Sequence, residues 1–257
     1  MSYVTYEHEA GLVRITLADA EHGNAIHLES VHELFGAVRR ARQDHARVIL
    51  LSAVGRFFSV GGDLGSFAGA DDMALYLDDV ADSLHRVVSE LIRADAVVVC
   101  AVQGPAAGAG FPLAAAADIV VAAESASFRL GYGKVGLSVD GGTSLLVNTL
   151  GLHTTLRLAL LGDSLSAQEA LAAGLVARVV PDHQLRGATE EVVATLLALS
   201  AGAQAVTKHL IRDRAEAAPE AALRQEALGI RSLGATAEAR EGVSAFLEKR
   251  RPAFGQR

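Results

Sequence analysis

The sequence predicts an α/β fold, with strands and helices alternating to about residue 180 and helices alone beyond it. Three observations carry this. Short β-branched apolar runs, such as VVVCAV from Val97, end in glycine-bearing turns, as buried strands do. Longer segments between them place apolar residues at helical spacing. From Gln184 onward no strand pattern recurs, and the chain reads as helix broken near Gly202, Pro219 and Gly234. Alternation of this kind indicates an α/β core.

In chain order, Val13 to Leu17 alternates with polar neighbours and reads as a strand. Leu28 to Arg42 follows as a helix with Leu28, Val31, Leu34, Phe35, Val38 and Ala41 on one face. Val48 to Leu51 is a buried strand. It leads into Gly55 to Leu64, a second strand end with paired glycines, where Asp63 stands in a helix-capping position. Met73 to Ile92 is the next helix, and the strand from Val97 then runs into a turn carrying Gly104, Pro105, Gly108 and Gly110. Leu113 to Ala117 has the alanine-rich composition of a tightly packed helix. Ile119 to Ala123 and Ala126 to Leu130 are short strands, and Gly136 to Thr143 is a loop before a helix from Ser144 to Leu161. Ser166 and Glu169 have capping-box spacing for a helix stopping near Gly174, and Val176 to Val180 is the last strand.

Composition narrows the functional classes. At 257 residues, 51% hydrophobic, the chain has ample material for one large domain, or for one domain with an appendage. A formal charge of −7 argues against a general nucleic-acid surface, so an anionic ligand needs a local basic patch. The single cysteine, Cys100, permits no disulfide within the chain, which fits a reducing cytoplasm. No apolar run reaches about 18 residues, and the N-terminal segment resembles neither a signal nor a transit peptide, so a cytoplasmic protein without a membrane span is expected.

The turn at 104–110 joins strand to helix through small residues. That lets a ligand approach the backbone where a helix start leaves N–H groups unpaired, and suits an anion or a carbonyl turning negative. A tight turn with close helix packing reads equally well from spacing alone. Known motifs do not fit. Gly104, Gly108 and Gly110 do not make a dinucleotide fingerprint, and Gly133-Lys134 is followed by valine rather than the Ser or Thr of a P-loop. In GLSVDG, Asp140 replaces the final glycine of a nucleophile elbow. His27 and His32 lie five apart, and the other histidines are scattered, so no metal motif is present.

Five segments together resemble the crotonase superfamily, the enoyl-CoA hydratase/isomerase family: FFSVGGDL at 57–64, AVQGPAAGAGFPLAAAADIV at 101–120, GLSVDGGT at 136–143, LSAQEALAAGLVARVV at 165–180 and REGVSAFLEKRRPAF at 240–254. They cover nearly the whole chain in the family's order. The resemblance implies a crotonase-like spiral of ββα units over 1–195 and a helical C-terminal trimerisation region over 196–257. It implies a homotrimer or a dimer of trimers acting on an acyl-CoA thioester, with coenzyme A as part of the substrate and no further cofactor. By position, the backbone N–H groups of Gly62 and Ala109 become an oxyanion hole. Asp63, Leu64, Gly108 and Gly110 lie beside it.

The resemblance also bears on the reaction. Hydratases of the family carry two glutamates where this chain has Pro112 and Tyr132. Proline transfers no proton, and a tyrosine of ordinary pKa near 10 is a poor base, so hydration is disfavoured. Asp140 resembles the catalytic Asp of isomerase members, including those of phenylacetate catabolism, although those members usually have one more residue before the glycine pair. One carboxylate suffices for a 1,3-proton shift. The same Asp resembles the nucleophile of aroyl-CoA dehalogenases, which place a base at the position of His85 and an aromatic residue at that of Tyr132. A binder that has lost its chemistry is the remaining alternative. Lys249 and Arg250, with Arg251, resemble the basic cluster that meets the CoA phosphates, although a helix end attracts cations without any ligand.

Overall fold

The computed structural model describes residues 2–215 and 218–255. The chain opens with a hairpin, β1 (Val4–Glu9) against β2 (Leu12–Leu17), whose turn places Ala10 and Gly11 at positive φ. Then come α1 (Leu28–Gln43), β3 (Val48–Ala53), α2 (Leu64–Gly69), α3 (Met73–Arg93), β4 (Val97–Val102) and β5 (Ala106–Ala107). The middle of the chain forms α4 (Gly110–Ala115), β6 (Ile119–Ala123), β7 (Ser127–Arg129), 3-10 turns at Tyr132–Val135 and Thr143–Leu146, α5 (Val147–Leu150) and α6 (Leu152–Leu161). After β8 (Ser164–Ser166), α7 (Ala167–Ala172) and β9 (Arg178–Val180), the chain is helical: α8 (Leu185–Ala198), α9 (Ala201–Ala215), α10 (Pro219–Gly234) and α11 (Ala237–Leu247).

The chain winds as the spiral expected of it. Six strands form one sheet in the order β1-β2-β3-β4-β6-β9, parallel from β2 onward. A second ladder runs up the other side of the winding. Ile26 bridges Gly62, Ser59 bridges Ala106, β5 pairs with β7, and β7 with β8. Each turn of the spiral thus adds one rung to each side.

The central strands are covered on both faces, so they read as continuous apolar runs rather than alternating ones. Val98, Cys100 and Val102 pack into the main core with α1 and α3, whereas Val99 and Ala101 face α8 through Val192 and Val193. The tail is tied on by buried charge. Lys208 Nζ donates to the carbonyls of Leu91 and Ala96 and pairs with Asp118, which also meets Arg212. Helix α10 docks along α3, where Arg93 pairs with Glu220.

Several elements differ from the sequence expectation. The helix expected from Ser144 to Leu161 is interrupted at Gly151, whose φ of 75° and ψ of 160° lie outside helical space. Helix α4 begins at Gly110 rather than Leu113, which puts Pro112 in its first turn, where a missing N–H costs nothing. The segment 55–64 forms isolated bridges and not a strand. Capping was read correctly: Asp63 accepts from Gly65 N–H at the start of α2, and Ser166 and Glu169 form a reciprocal box.

Candidate active site

The two glycine-rich turns lie side by side because Ser59 and Ala106 are bridged in parallel, and Ala107 N–H donates to the Ser59 carbonyl at 2.8 Å. Three residues further along each segment come Gly62 and Ala109. The packing leaves no room for side chains: a Cβ on Gly61 would meet the Ala107 carbonyl at 2.7 Å, and one on Gly110 would meet Ser59 Cβ at 2.6 Å. Gly62 lies against the Phe67 ring, and Ala109 immediately precedes α4. Among the described residues, neither N–H has an acceptor in the protein. Unpaired N–H groups facing a cavity are what a developing oxyanion requires.

That cavity measures about 320 Å³. Gly62, Leu64, Gly108, Ala109, Tyr132 and Asp140 line it, and its walls are otherwise mostly apolar, from Ile26, Phe67, Leu77, Val80, Leu84, Leu137 and Ile230. Arg129 and Lys134 are its cations, and Asp140 is the only carboxylate among the described lining residues. The C-terminal region takes part, since Ile230 comes from α10 and Phe246 from α11.

Asp140 is held by an unusual set of contacts. Its carbonyl accepts from the Tyr132 hydroxyl at 2.9 Å and from Thr143 Oγ1 at 2.8 Å. Its carboxylate Oδ1 lies 2.9 Å from His85 Nε2, and both side chains are under a tenth exposed. The same Nε2 is 3.3 Å from Gly141 N–H, which donates to it. One nitrogen cannot serve both neighbours at once. An imidazolium Nε2–H turns to Asp140, and a neutral ring with its proton on Nδ1 receives Gly141. Burial works against a charged ring. The facing Asp140 and Glu226 carboxylates outweigh it and hold the His85 pKa above its ordinary value. Burial raises the Tyr132 phenol well above its usual range, with the same two carboxylates adding to the effect.

Behind the loop stands Glu226 of α10, which sequence reasoning missed. Its Oε2 accepts from Gly142 N–H at 2.8 Å and its Oε1 from Ser144 N–H at 2.6 Å. Ligand atoms of His85, Asp140 and Glu226 lie within 4.8 Å of one another, a spacing open to a metal ion. The donors are poorly suited to one, because both Glu226 oxygens already receive backbone N–H groups and a protonated His85 Nε2 has no lone pair to offer. One signal pointed to Glu226. It shares the buried face of α10 with Leu223, Ala227 and Ile230, an acidic residue on an apolar stripe.

Other expected site residues fall outside the cavity. His85 sits behind Asp140 and does not line it. Asp63 caps α2, accepts from Ser66 Oγ and borders a neighbouring groove. Gly110 is enclosed against Ser59, and Pro112 is buried in α4 near Gly142. Arg250 pairs with Glu241 and Glu248 and borders an outer groove with Lys134 and Arg251. Lys249 follows α11 at a φ of 55°. No helix among the described residues is long and apolar enough to cross a membrane.

Known proteins identify the family. The enoyl-CoA hydratase/isomerase profile matches residues 7–257. A "Probable enoyl-CoA hydratase" of Rhodobacter capsulatus is 38% identical, with 99% of each chain covered. The "1,2-epoxyphenylacetyl-CoA isomerase" of Escherichia coli K12 is 34% identical, over 99% of this chain and 98% of that one. A crystal structure of an enoyl-CoA hydratase from Mycobacterium avium subsp. paratuberculosis superposes with a TM-score of 0.91 at 30% identity, covering both chains fully. With a profile match over nearly its full length and relatives of both reaction types, this chain belongs to the enoyl-CoA hydratase/isomerase family.

Proposed function

We propose that the protein isomerises an enoyl-CoA by a 1,3-proton shift. The observation that carries this reading is Asp140 as the single carboxylate lining a cavity that also contains Gly62 and Ala109. Asp140 takes the proton from C2 of a 3-enoyl thioester. As that C–H bond breaks, its electrons form C1=C2 and the thioester carbonyl becomes an enolate oxygen with C3=C4 intact. The same carboxyl group then protonates C4, C3=C4 shifts to C2=C3, and the carbonyl re-forms. Negative charge passes through the thioester oxygen, which the Gly62 and Ala109 N–H groups receive. Each such donor stabilises the transition state by about 3 kcal/mol. Proton and electrons balance within the substrate, with coenzyme A as the carrier.

Hydration draws less support, because it asks for a second proton-transferring group. Pro112 is outside the cavity, and the Tyr132 hydroxyl is committed to the Asp140 carbonyl. The apolar wall of Leu77, Val80, Leu84, Leu137 and Ile230 favours a hydrocarbon acyl group. Lys134, Arg250 and Arg251, bordering the outer groove, are the cations proposed for the CoA phosphates. Exposed Leu152, Leu156 and Leu160 on α6 support self-association as a trimer or a dimer of trimers, which light scattering tests. The lone buried Cys100 suits a cytoplasmic setting.

One observation favours a second reading. His85 Nε2 at 2.9 Å from Asp140 Oδ1 suits an enzyme in which Asp140 attacks the halogen-bearing ring carbon of a haloaroyl-CoA, halide leaves, and water cleaves the resulting aryl ester to free Asp140. The position of His85 behind Asp140, away from the cavity, argues for the isomerase. A 3-enoyl-CoA incubated with the protein should develop the ultraviolet absorbance of a conjugated 2-enoyl thioester. Asp140→Asn should abolish the change while thioester binding survives. Halide release from a haloaryl-CoA without that absorbance would replace the isomerase with the nucleophilic reading, and loss of a 2-enoyl absorbance would replace it with hydration.

A further inference from the structure

The loop that carries Asp140 has few bonds of its own, chiefly Thr143 Oγ1 to the Asp140 carbonyl, and is held largely by other elements. Gly141 and Gly142 are consecutive residues at φ of 77° and 99°, a conformation with high intrinsic freedom in the unfolded chain. The amides of Gly142 and Ser144 donate to the two oxygens of Glu226 on α10, and Gly141 N–H meets His85 Nε2 only while that ring is neutral. Burial, with the nearby Asp140 charge, raises the Glu226 carboxyl above its ordinary range, and the N–H groups of Ser144 and Gly142, one on each oxygen, oppose this by favouring the anion. The charged or titratable groups facing His85 are Asp82 on its own helix, Asp140 on the loop and Glu226 on α10.

We propose that Glu226 is a positioning residue of the reaction, clamping Gly142 and Ser144 so that Asp140 is aimed into the cavity and facing His85 with a second negative charge. Two consequences are separable. Displacing the loop by about 1 Å lowers turnover by up to ~100-fold without removing a substrate contact. Losing the charge removes one of the two buried anions that keep the imidazole protonated.

The kinetic consequence rests on the isomerase reading; the electrostatic one does not. Glu226→Gln preserves shape but gives only one acceptor to two amides. In the folded variant, kcat should fall about 10- to 100-fold with KM within about twofold, as expected when only the transition state is affected. In ¹⁵N-imidazole NMR without substrate, the His85 midpoint, assigned by its loss in His85→Gln, should move down. Glu226→Asp keeps the charge on a shorter arm, so kcat should fall while the His85 midpoint stays high. If Glu226→Gln does not fold, the Asp variant decides alone: a lowered kcat with unchanged KM supports the clamp, and an unchanged kcat overturns it. A folded Gln variant with wild-type kcat and an unmoved His85 midpoint also overturns it. A wild-type protein inactive on enoyl-CoA, whose His85 midpoint nonetheless falls in Glu226→Gln, overturns the isomerase reading and supports the Glu226 charge facing His85.

Discussion

His85 Nε2 sits 2.9 Å from Asp140 Oδ1, with both groups nearly out of water, so a proton on the ring places a positive charge directly against the loop's carboxylate. Despite burial, that pairing raises the His85 pKa. A histidine whose folded pKa exceeds its unfolded value near 6.5 contributes stability fully below that value, and the contribution fades as pH rises through the folded pKa. His85→Gln should therefore cost about 1.5–3 kcal/mol at pH 6, the scale of a charge-assisted hydrogen bond, and less with each step toward pH 9. Urea unfolding of both proteins across that range measures the gap. A gap that widens with pH would reverse the assigned sign.

Gly62→Ala should damage the cavity before it damages the fold. The added methyl would lie 2.6 Å from the tip of the Phe67 ring, a cavity-lining side chain that must swing away. Overpacking of this kind costs about 1–3 kcal/mol. Calorimetry with a non-reactive acyl-CoA thioether should show weakened binding, and the melting temperature should fall only modestly.

Lys208→Met should be among the more destabilising single changes away from the site. It leaves the carbonyls of Leu91 and Ala96 without their donor and strips one of two cations from Asp118. Breaking a buried ion pair from one side costs about 3–5 kcal/mol, and Arg212, still present, holds this case to the lower end. Chemical denaturation measures it, with no change expected in KM.

At the α3–α10 contact, Glu220 is the group to titrate. The Arg93 guanidinium, followed by the Ser89 hydroxyl, holds its pKa down to about 2 despite partial burial. Its contribution is present above the unfolded value near 4.5 and is lost as pH falls through about 2. Both side chains are half-exposed, so Glu220→Gln should cost about 1 kcal/mol or less at neutral pH. Hydrogen exchange should show faster opening of α10 amides in that variant, and no such change below pH 2.

What was legible in the sequence was local. Asp63 and the Ser166–Glu169 pair announce helix starts within four residues of chain, and their bonds form as read. The central strands were legible because burial on both faces leaves them wholly apolar. Ala106–Ala107 and Ser164–Ser166 are too short to carry a period, and they exist because neighbouring turns of the spiral pair with them. The break at Gly151 was hidden because leucines continue at helical spacing through it. In the site, Gly62, Ala109 and Asp140 could be named through motif resemblance, whereas Glu226 belongs to no such motif. Its partners are 84 and 82 residues away, a distance that no window along the chain covers.

That separation has a consequence for the order in which the protein is made. A chain emerging from the ribosome presents Gly62, Ala109 and Asp140 long before α10 exists. Until residue 226 arrives, two amides of the loop have no acceptor. Ile230 of α10 and Phe246 of α11 complete the cavity wall, so these last helices close both the cavity and the loop beside it. Under the proposed role of Glu226, competence is acquired late, with the docking of the penultimate helix, and turnover then reports on a finished polypeptide rather than on a folded fragment.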